Sequence, residues 1–336
     1  MVAGQLHRPF SQVAGVKNRG YSSPLQRRLT DFGADESFAH AVQKGQEHYG
    51  VTVPLGAVQR ITEHHAGQIR DQERLRSEFP DGPGVAAIIV ETDGSMIPLV
   101  TIEAFTPDGP SDGRRRRRLH WHEARLTLAH PLGSVTPVFG ATVGGPDVTG
   151  DQMLNCAIMA GGCERSIIHC LGDGATWIAD QSARVYADQG SYLIDFYHLC
   201  DYLHAAASRC RPKDPDGWWE EQKLLMKTEQ VSVVLQNLEP YLEPETASDS
   251  DAPVRKCHRY LNNRPGQFEY ARALAAGLPI GSGEIESAHR YIIQKRLKIA
   301  GAWWLKDNAH KMLALRTLRA NGSWNNYWTQ NAEIAA

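Results

Sequence analysis

Hydrophobic positions near the start of the chain recur with a helical period. Phe38, Ala41 and Val42 stand at i, i+3 and i+4, and a similar spacing resumes at Leu55 after the break GVTVP. This spacing predicts two helices joined by a short turn within residues 31–80. Such a pair fits a helix-turn-helix that binds DNA, and it fits a plain helical hairpin equally well.

The chain on either side of this helical region has a different pattern. Residues 1–30 are rich in Arg, Gln, Ser and Gly without a period, and they predict an extended arm. From Gly84 onward, short apolar runs separated by Gly, Pro and Asp clusters predict strands, and longer amphipathic runs predict helices. The predicted strands or strand fragments are 85–90, 97–102, 124–129, 136–143, 166–171 and 192–194, and helices are predicted over 147–160 and 177–187.

Beyond Leu199 the strand pattern is replaced by helical runs. Residues 218–238 and 268–276 predict helices, and a further helix is predicted from Gly283 to Lys298, with Ser282 as its N-cap. The fold class expected from this order is α/β, with a mixed sheet interrupted by helices. The expected organisation is an extended arm at 1–30, a helical DNA-binding region at 31–80, the first part of the α/β core at 84–198, an all-helical insertion at 199–277 and a core helix with C-terminal helices at 278–330.

Composition and charge narrow the class of protein. With 336 residues, of which 42% are hydrophobic and 22% charged, the chain has the composition of a globular protein with two or three domains. The net charge of -2 gives no overall preference for a polyanion, so any basic surface must be local. No apolar run of about 18 residues and no signal-peptide pattern is present. Six cysteines without C-x-x-C spacing are typical of reduced thiols in a cytosolic protein.

Carboxylates directly follow two of the predicted strands. Asp93 in ETDG comes after the run 85–90, and Asp173 in GDG comes after the run 166–171. If the two strands are neighbours, these acids lie side by side, where their repulsion is costly unless cations neutralise it. Oxygen ligands of this kind suit Mg²⁺. Each acid taken alone is also an ordinary turn residue.

Two further acids stand at chemically suggestive positions. Glu286 lies in the first turn of the helix predicted from Gly283, where it is a candidate third carboxylate or a simple complement to the helix dipole. Asp195 ends the run 192–194 and begins the motif DFYH, which includes His198. The spacing of this motif leaves open a pair of metal ligands, a hydrogen-bonded structural pair and a turn into the next helix.

The ordered set of motifs resembles bacterial insertion-sequence DDE transposases of the Kra type, within the Mutator-like superfamily. The motifs are ETDG at 91–94, HWHE at 120–123, GDGATW at 172–177, DFYH at 195–198, GSGEIE at 281–286 and RLK at 296–298. The likeness covers residues 20–328, and it departs from the family at IAGAWW, where relatives more often have a Ser-Gly pair. It implies a ribonuclease-H-like core, with three strands, a helix, a strand, a helix and a strand before a helical insertion and an acidic helix.

The resemblance implies a catalytic and metal-binding triad of Asp93, Asp173 and Glu286. Two Mg²⁺ ions per active site are implied as cofactors, with Mn²⁺ as a substitute. Asp195 and His198 match the accessory D-x-x-H motif of the family. A rival triad that replaces Asp93 with Asp195 stays open, because Asp195 also ends a strand. Asp93 is preferred because the ribonuclease-H-like layout has its first carboxylate on the central first strand.

The implied activity is DNA transposition: metal-dependent endonuclease cleavage at transposon ends, then transfer of the freed 3'-hydroxyl into target DNA. The expected partners are double-stranded DNA and further copies of the chain on that DNA, without a membrane, in the bacterial cytoplasm and nucleoid. Basic clusters are candidates for phosphate contacts or are solvated loops. The candidates are Arg114, Arg115, Arg116, Arg117, Arg118, Arg290, Lys295, Arg296 and Lys298. A defective or domesticated DNA-binding copy and a ribonuclease-H-like nuclease are the alternative functions.

Overall fold

The computed structural model describes residues 20–104, 112 and 116–335. Its centre is a five-stranded mixed sheet. The strands are β1 (Ala87–Ile102), β2 (Arg117–Pro131), β3 (Val138–Thr142), β4 (Ile167–Gly172) and β5 (Gly190–Ile194). Their order across the sheet is β3-β2-β1-β4-β5, in which β2 is antiparallel to β1 and β3, whereas β4 and β5 run parallel to β1. The predicted α/β class with a mixed sheet is confirmed.

Helices precede, connect and follow the strands. The helices before the sheet and between its strands are α1 (Ser23–Asp35), α2 (Phe38–Tyr49), α3 (Leu55–Gln72), α4 (Pro146–Met159) and α5 (Thr176–Tyr186), with a 3-10 turn at Ala187–Gln189. After β5 come α6 (Phe196–Cys210), α7 (Pro215–Lys227), α8 (Val231–Leu238), a 3-10 turn at Glu239–Tyr241, α9 (Pro253–Asn262) and α10 (Tyr270–Ala275). The last helices are α11 (Gly283–Ala288), a π-helical turn (His289–Gln294), α12 (Lys295–Leu297), α13 (Lys306–Ala320) and α14 (Trp324–Ala335).

The predictions for the start of the chain have different outcomes. The two helices predicted from the helical period are α2 and α3, and this prediction is confirmed. The predicted extended arm is wrong from Ser23 onward, because α1 begins there and buries Leu29. The i, i+4, i+7 spacing of Leu25, Leu29 and Phe32 is the signal that identifies this helix. Residues 1–19 of the arm lie outside the described part of the chain.

The largest difference from the sequence prediction is in β1. The runs 85–90 and 97–102 predict two strands separated by a turn at ETDG, whereas the structure has the single strand Ala87–Ile102. The segment stays extended because β2 pairs with β1 along its whole length and satisfies its backbone groups. Gly94 lies within this strand, and the side chain of Glu123 occupies the space that a Cβ at position 94 would need.

Helices cover both faces of the sheet, and one face is divided by polar residues. On one face the sheet packs against α4 and α5. On the other face, Ile89 belongs to an apolar cluster with the insertion α6–α10, and Ile97 belongs to a second cluster with α11–α13. Side chains alternate along a strand, so Glu91, Asp93 and Ser95 lie on this second face between the two clusters. We call these three residues the polar strip.

The predictions for the helical segment 199–277 and for the cysteines are confirmed. Residues 199–277 contain no strand, and the helix predicted over 218–238 is present as α7 and α8, which are separated near Glu229 at a φ of 59°. All six cysteines are buried and unpaired, as expected for thiols. In the described part of the chain, no helix is both long enough and apolar enough to cross a lipid bilayer.

A buried histidine joins the N-terminal helices to the C-terminal ones. His65 of α3 is only 5% exposed. Its Nδ1 lies 2.8 Å from the hydroxyl oxygen of Tyr327, and its Nε2 lies 3.0 Å from Oε1 of Gln26. Burial lowers the pKa of His65 to about 4. The folded protein therefore keeps this ring neutral in mildly acidic solution, in which the unfolded chain binds a proton.

We expect acid to destabilise the fold through His65. Its folded pKa lies below the unfolded value, so its contribution is intact above about pH 6.5 and is lost as the pH falls toward about 4. Linkage gives a loss of about 2 kcal/mol in unfolding free energy between about pH 7 and about pH 5. Urea unfolding of His65→Gln should lack this loss, and His64→Gln, at the exposed neighbouring position, should retain it. The same pH dependence in His65→Gln and wild type would contradict the assignment.

Candidate active site

Strand register aligns three aspartates on the neighbouring strands β1, β4 and β5. Asp93 lies within β1, Asp173 directly follows β4, and Asp195 directly follows β5. Extending the parallel registers of β1 with β4 and of β4 with β5 by one or two residues brings Asp93 opposite Asp173, and Asp173 opposite Asp195. β1 and β4, which position Asp93 and Asp173, are therefore neighbours. This is the condition under which the sequence analysis expected the two acids to lie side by side.

Asp93 contacts the segment Gly283–Leu297, which comprises α11, the π-helical turn and α12. We call this segment the last helical segment. Its side chain is 34% exposed. Its Oδ1 accepts a hydrogen bond from the N–H of Gly94 at 2.7 Å, and its Oδ2 lies 3.3 Å from Nε2 of His289. His289 is 3% exposed and follows α11, the helix that carries Glu286.

Asp173 begins a tight loop between β4 and α5. Its Oδ1 accepts a hydrogen bond from the N–H of Ala175 at 2.8 Å, which is the geometry of an Asx turn. The helical insertion supports the loop from outside. The hydroxyl of Tyr260 donates to the carbonyl oxygen of Asp173 at 2.7 Å, and Nε of Arg264 donates to the carbonyl oxygen of Gly174 at 2.6 Å. The insertion therefore fixes the backbone that presents Asp173.

Gly174 allows this support, and its replacement should weaken it. Its φ is +86°, and an added Cβ would stand 2.5 Å from the hydroxyl of Tyr260. We expect Gly174→Ala to lower the unfolding free energy by about 2 kcal/mol, because left-handed strain alone costs about 1 kcal/mol and the clash displaces Tyr260. Gly266→Ala is the matched control, since its φ is +75° and an added Cβ meets nothing within 4 Å. Equal losses for the two variants in urea unfolding would show that Tyr260 does not hold the loop.

Both carboxylate oxygens of Asp195 accept hydrogen bonds. Its Oδ1 accepts from the N–H of His198 at 2.8 Å and caps α6. Its Oδ2 accepts from both the N–H and the hydroxyl of Ser282 at 2.5 Å. The sequence left three interpretations of the D-x-x-H motif open: a pair of metal ligands, a hydrogen-bonded structural pair and a turn into the next helix. The structure supports a structural carboxylate at the start of a helix. The ring of His198 packs beside those of Tyr202 and Tyr260.

The start of the last helical segment is held by Glu91. Ser282 stands at the N-cap position of α11, as predicted, but its hydroxyl donates to Asp195 and caps nothing in α11. Oε2 of Glu91 instead accepts from the N–H of Ile285 at 2.8 Å. Burial raises the pKa of Glu91 to about 7. This bond fixes the beginning of α11 beside the part of β1 that contains Asp93.

Glu286 is exposed in the first turn of α11, one turn before His289. A helix rises about 1.5 Å per residue, so the two Cα atoms are separated by roughly 4.5 Å along the axis. Because His289 contacts Asp93, Glu286 belongs to the part of the helix nearest the polar strip. Within residues 20–104, 112 and 116–335, however, no group of three or more His, Cys, Asp or Glu side chains is arranged to hold a metal ion.

The donor chemistry of the implied triad fits Mg²⁺. Asp93 and Asp173 are partly exposed, and Glu286 is exposed, so each can offer carboxylate oxygens to an ion that retains several waters. A nearby buried histidine without a hydrogen bond, His289, also points to an interaction that the described side chains do not complete. The acids share one face of the sheet without forming one ligand cluster.

The motif HWHE does not join the acids. Glu123 of β2 lies on the other face of the sheet, beside Gly94, where its Oε2 is 2.5 Å from Nη2 of Arg125. Nε2 of His122 lies 3.0 Å from the carbonyl oxygen of Val143. These contacts link β2 to itself and to the segment after β3.

The described residues of the arginine run, Arg116 to Arg118, lie at the start of β2, where β2 pairs with the end of β1. Arg114 and Arg115 are outside the described residues. Arg117 is exposed at the start of β2. Nη1 of Arg116 donates to the carbonyl oxygen of Glu103 at 2.9 Å, and Nε of Arg118 donates to Oε1 of the same glutamate at 2.7 Å.

The basic residues after Glu286 fall into exposed and buried positions. Arg290, Lys295 and Lys298 are exposed. Nζ of Lys295 lies 3.8 Å from Oδ2 of Asp35. Three of the four predicted positions therefore carry an exposed basic side chain.

Arg296 is the fourth position, and its assignment to DNA contacts is wrong. The residue is 2% exposed, with its guanidinium carbon 4.7 Å from the ring centroids of both Phe38 and Trp304. Its Nε donates to the carbonyl oxygen of Gly33 at 2.8 Å. The burial follows from helix geometry, because position 296 lies four residues after Ile292 on the apolar face.

Sequence reasoning did not assign a role to Glu91, Tyr260 or His289. A carboxylate inside an apolar strand, such as Glu91, is a detectable signal, because buried acids need partners. His289 stands three residues after Glu286 and so on a neighbouring part of the helix surface. Tyr260 carries no local signal, since its partner is distant in the sequence.

No protein-family model and no curated protein matches this chain. The motif resemblance therefore depends on the residues described above and on their arrangement in the fold.

Proposed function

We propose that this chain is a DDE-type DNA transposase, which cleaves DNA at transposon ends and joins the freed 3' ends to target DNA. The observation that carries the proposal is that β1 and β4 present Asp93 and Asp173 in register on the face against which the segment bearing Glu286 packs. The strand order β3-β2-β1-β4-β5, with three antiparallel strands followed by two parallel to the central β1, supports a ribonuclease-H-like core.

Hydrogen bonding favours Asp93 over Asp195 as the first acid of the triad. Asp195 is 5% exposed, and its two oxygens together accept three hydrogen bonds. A carboxylate has about four acceptor positions, so little capacity is left for an ion. Asp93 is more exposed and accepts only one hydrogen bond from within the described residues. The proposed triad is therefore Asp93, Asp173 and Glu286.

The proposed chemistry is phosphoryl transfer without a covalent enzyme intermediate. Asp93, Asp173 and Glu286 would hold two divalent ions, Mg²⁺ or Mn²⁺, which would supply activation of the attacking oxygen and stabilisation of the leaving oxygen. The chain contributes the arrangement of its acids. The Asx turn orients Asp173, the bond from Ile285 to Glu91 fixes the start of the helix with Glu286, and β2 holds the strand with Asp93. Water is the first nucleophile, and the freed 3'-hydroxyl is the second.

Exposed basic residues support DNA as the substrate. Arg117 lies at the start of β2, and Arg290 and Lys298 lie on the segment that follows Glu286. Contacts from such residues to phosphates give affinity that falls with salt and depends little on sequence. These positions are proposed for DNA contact, together with Lys295 and the rest of the arginine run.

DNA binding without cleavage is the second candidate function. It is supported by the lack of an assembled group of three acids in the part of the chain that the structure describes. A protein of this kind would keep the basic surface and would not need the acids to converge.

The deciding test is strand cleavage and joining on labelled DNA that flanks the gene for this chain, with Mg²⁺ or Mn²⁺. A joined product that is formed by wild type and lost in Asp173→Asn supports the transposase. Nicked DNA without joined product overturns it in favour of a nuclease. Binding without any cut, under both metals, overturns it in favour of the DNA-binding protein.

A further inference from the structure

His289 is buried beside Asp93 without a hydrogen bond to either ring nitrogen. Among the described residues neither Nδ1 nor Nε2 has a hydrogen-bond partner, although the side chain is 3% exposed. Leaving a buried polar group unpaired costs about 1–3 kcal/mol. Oδ2 of Asp93 lies 3.3 Å from Nε2, in an alignment that does not form a hydrogen bond. The ring is therefore adjacent to a carboxylate that it does not bind in this conformation.

The backbone also changes at His289. Residues His289–Gln294 form a π-helical turn inside the last helical segment. Arg316 of α13 stabilises the widened turn, because its Nε donates to the carbonyl oxygen of Ile292 at 2.5 Å and its Nη2 donates to that of Tyr291. Single π turns are rare and occur frequently at functional sites. The first residue of this one is the histidine that faces Asp93.

We infer that His289 is a positioning residue for Asp93: its Nε2–H donates to the Asp93 carboxylate and holds it in the orientation that binds a divalent ion. The inference rests on the proposed function, since it concerns the same acid. A hydrogen-bond donor behind a metal-binding carboxylate fixes the direction of its oxygens, and loss of such a partner typically weakens metal binding about 10–100-fold.

His130 provides a matched control. It lies in β2, is 6% exposed, and its Nε2 has no hydrogen-bond partner among the described residues. That nitrogen lies 3.5 Å from Oε2 of Glu284, an acid outside the proposed triad. His130 thus shares the residue type, the burial and a carboxylate neighbour with His289, and differs in that its neighbour is not one of the three proposed metal-binding acids.

The test is Mn²⁺ binding to the full chain without DNA, measured from the electron paramagnetic resonance signal of free Mn²⁺. His289→Leu removes the donor at similar volume, whereas His289→Gln keeps an N–H near the position of Nε2. We expect His289→Leu to raise the Kd for Mn²⁺ by about 10–100-fold, and His289→Gln to restore most of the affinity. His130→Leu should leave the Kd unchanged. Urea unfolding without metal shows which variants fold.

The outcomes separate this role from the proposed function. A wild-type Kd in folded His289→Leu, or an equal rise in His130→Leu, overturns the positioning role and leaves the function standing. A wild-type chain that binds no Mn²⁺ overturns the metal-dependent function itself. If His289→Leu does not fold, His289→Asn replaces it, because its amide lies near Nδ1. Weaker binding in His289→Asn than in His289→Gln supports the role, and equal affinity overturns it.

Discussion

Replacement of Asp93, Asp173 or Glu286 by its amide is expected to lower DNA cleavage by about 1,000-fold or more, with DNA affinity nearly unchanged. The amide keeps the shape of the side chain and removes the charge that would bind a cation. A loss of about 4 kcal/mol in transition-state stabilisation corresponds to roughly this factor. Asp93 and Asp173 are partly exposed and Glu286 is exposed, so we expect the variants to fold.

Glu284→Gln is the matched control for this series. Glu284 is exposed in the same helical turn as Glu286, and its contact within the described residues is with His130 at 3.5 Å. Its amide should retain cleavage. The measurements are product formation on denaturing gels and DNA affinity by fluorescence anisotropy. Full cleavage by any one of the three variants would remove that residue from the triad. Loss of cleavage in Glu284→Gln would show that a change anywhere in this helical turn impairs the reaction.

Asp195→Ala is expected to lower the unfolding free energy by about 3 kcal/mol, the largest effect on stability among these variants. The change removes a buried carboxylate that accepts the N–H of His198 and two hydrogen bonds from Ser282. Hydrogen bonds to charged groups contribute about 1.5–3 kcal/mol each, and their buried donors are left unpaired. The start of α6 and the segment before α11 would then lose their link.

Asp214→Ala gives the comparison for Asp195→Ala. Asp214 also caps a helix, α7, by accepting the N–H of Gly217 at 3.1 Å, but its side chain is 62% exposed. Loss of such a surface cap costs about 1 kcal/mol. Urea unfolding should therefore rank Asp195→Ala well below Asp214→Ala, and equal stability of the two would refute the structural role.

A second substitution of Asp195 distinguishes the proposed triad, which contains Asp93, from the rival triad, which contains Asp195. Asp195→Asn keeps an oxygen acceptor for the cap and removes the charge. Under the proposed triad, its folded fraction should cleave DNA while Asp93→Asn does not. The reverse pattern would establish the rival triad that contains Asp195.

Much of the architecture follows from local patterns in the sequence. The helical spacing at Phe38 and Leu55 predicts α2 and α3, and the short apolar runs predict β3, β4 and β5 close to their observed bounds. The position of Asp173 after a strand was also readable, because Gly-Asp-Gly directly follows an apolar run. Each of these features depends on residues only a few positions apart, so the pattern that predicts it can be identified directly in the sequence.

The environment of each acid was decided by the tertiary structure. Asp195 binds Ser282, which is 87 residues away, so no local spacing distinguishes this structural carboxylate from a metal ligand. Asp93 meets His289 only because the last helical segment packs on β1. Contacts of this kind arise from packing between elements that the sequence does not place side by side.

The sequence by itself determined the α/β class, the order of most elements and the positions of the candidate acids. Only the tertiary structure decided that β1 continues through ETDG, because the full-length pairing with β2 satisfies the backbone of a polar segment that would otherwise turn. It also decided that Arg296 is buried, since the rings of Phe38 and Trp304 come from distant segments. Local periodicity specifies which face of an element is apolar, whereas the partner on that face is set by long-range packing.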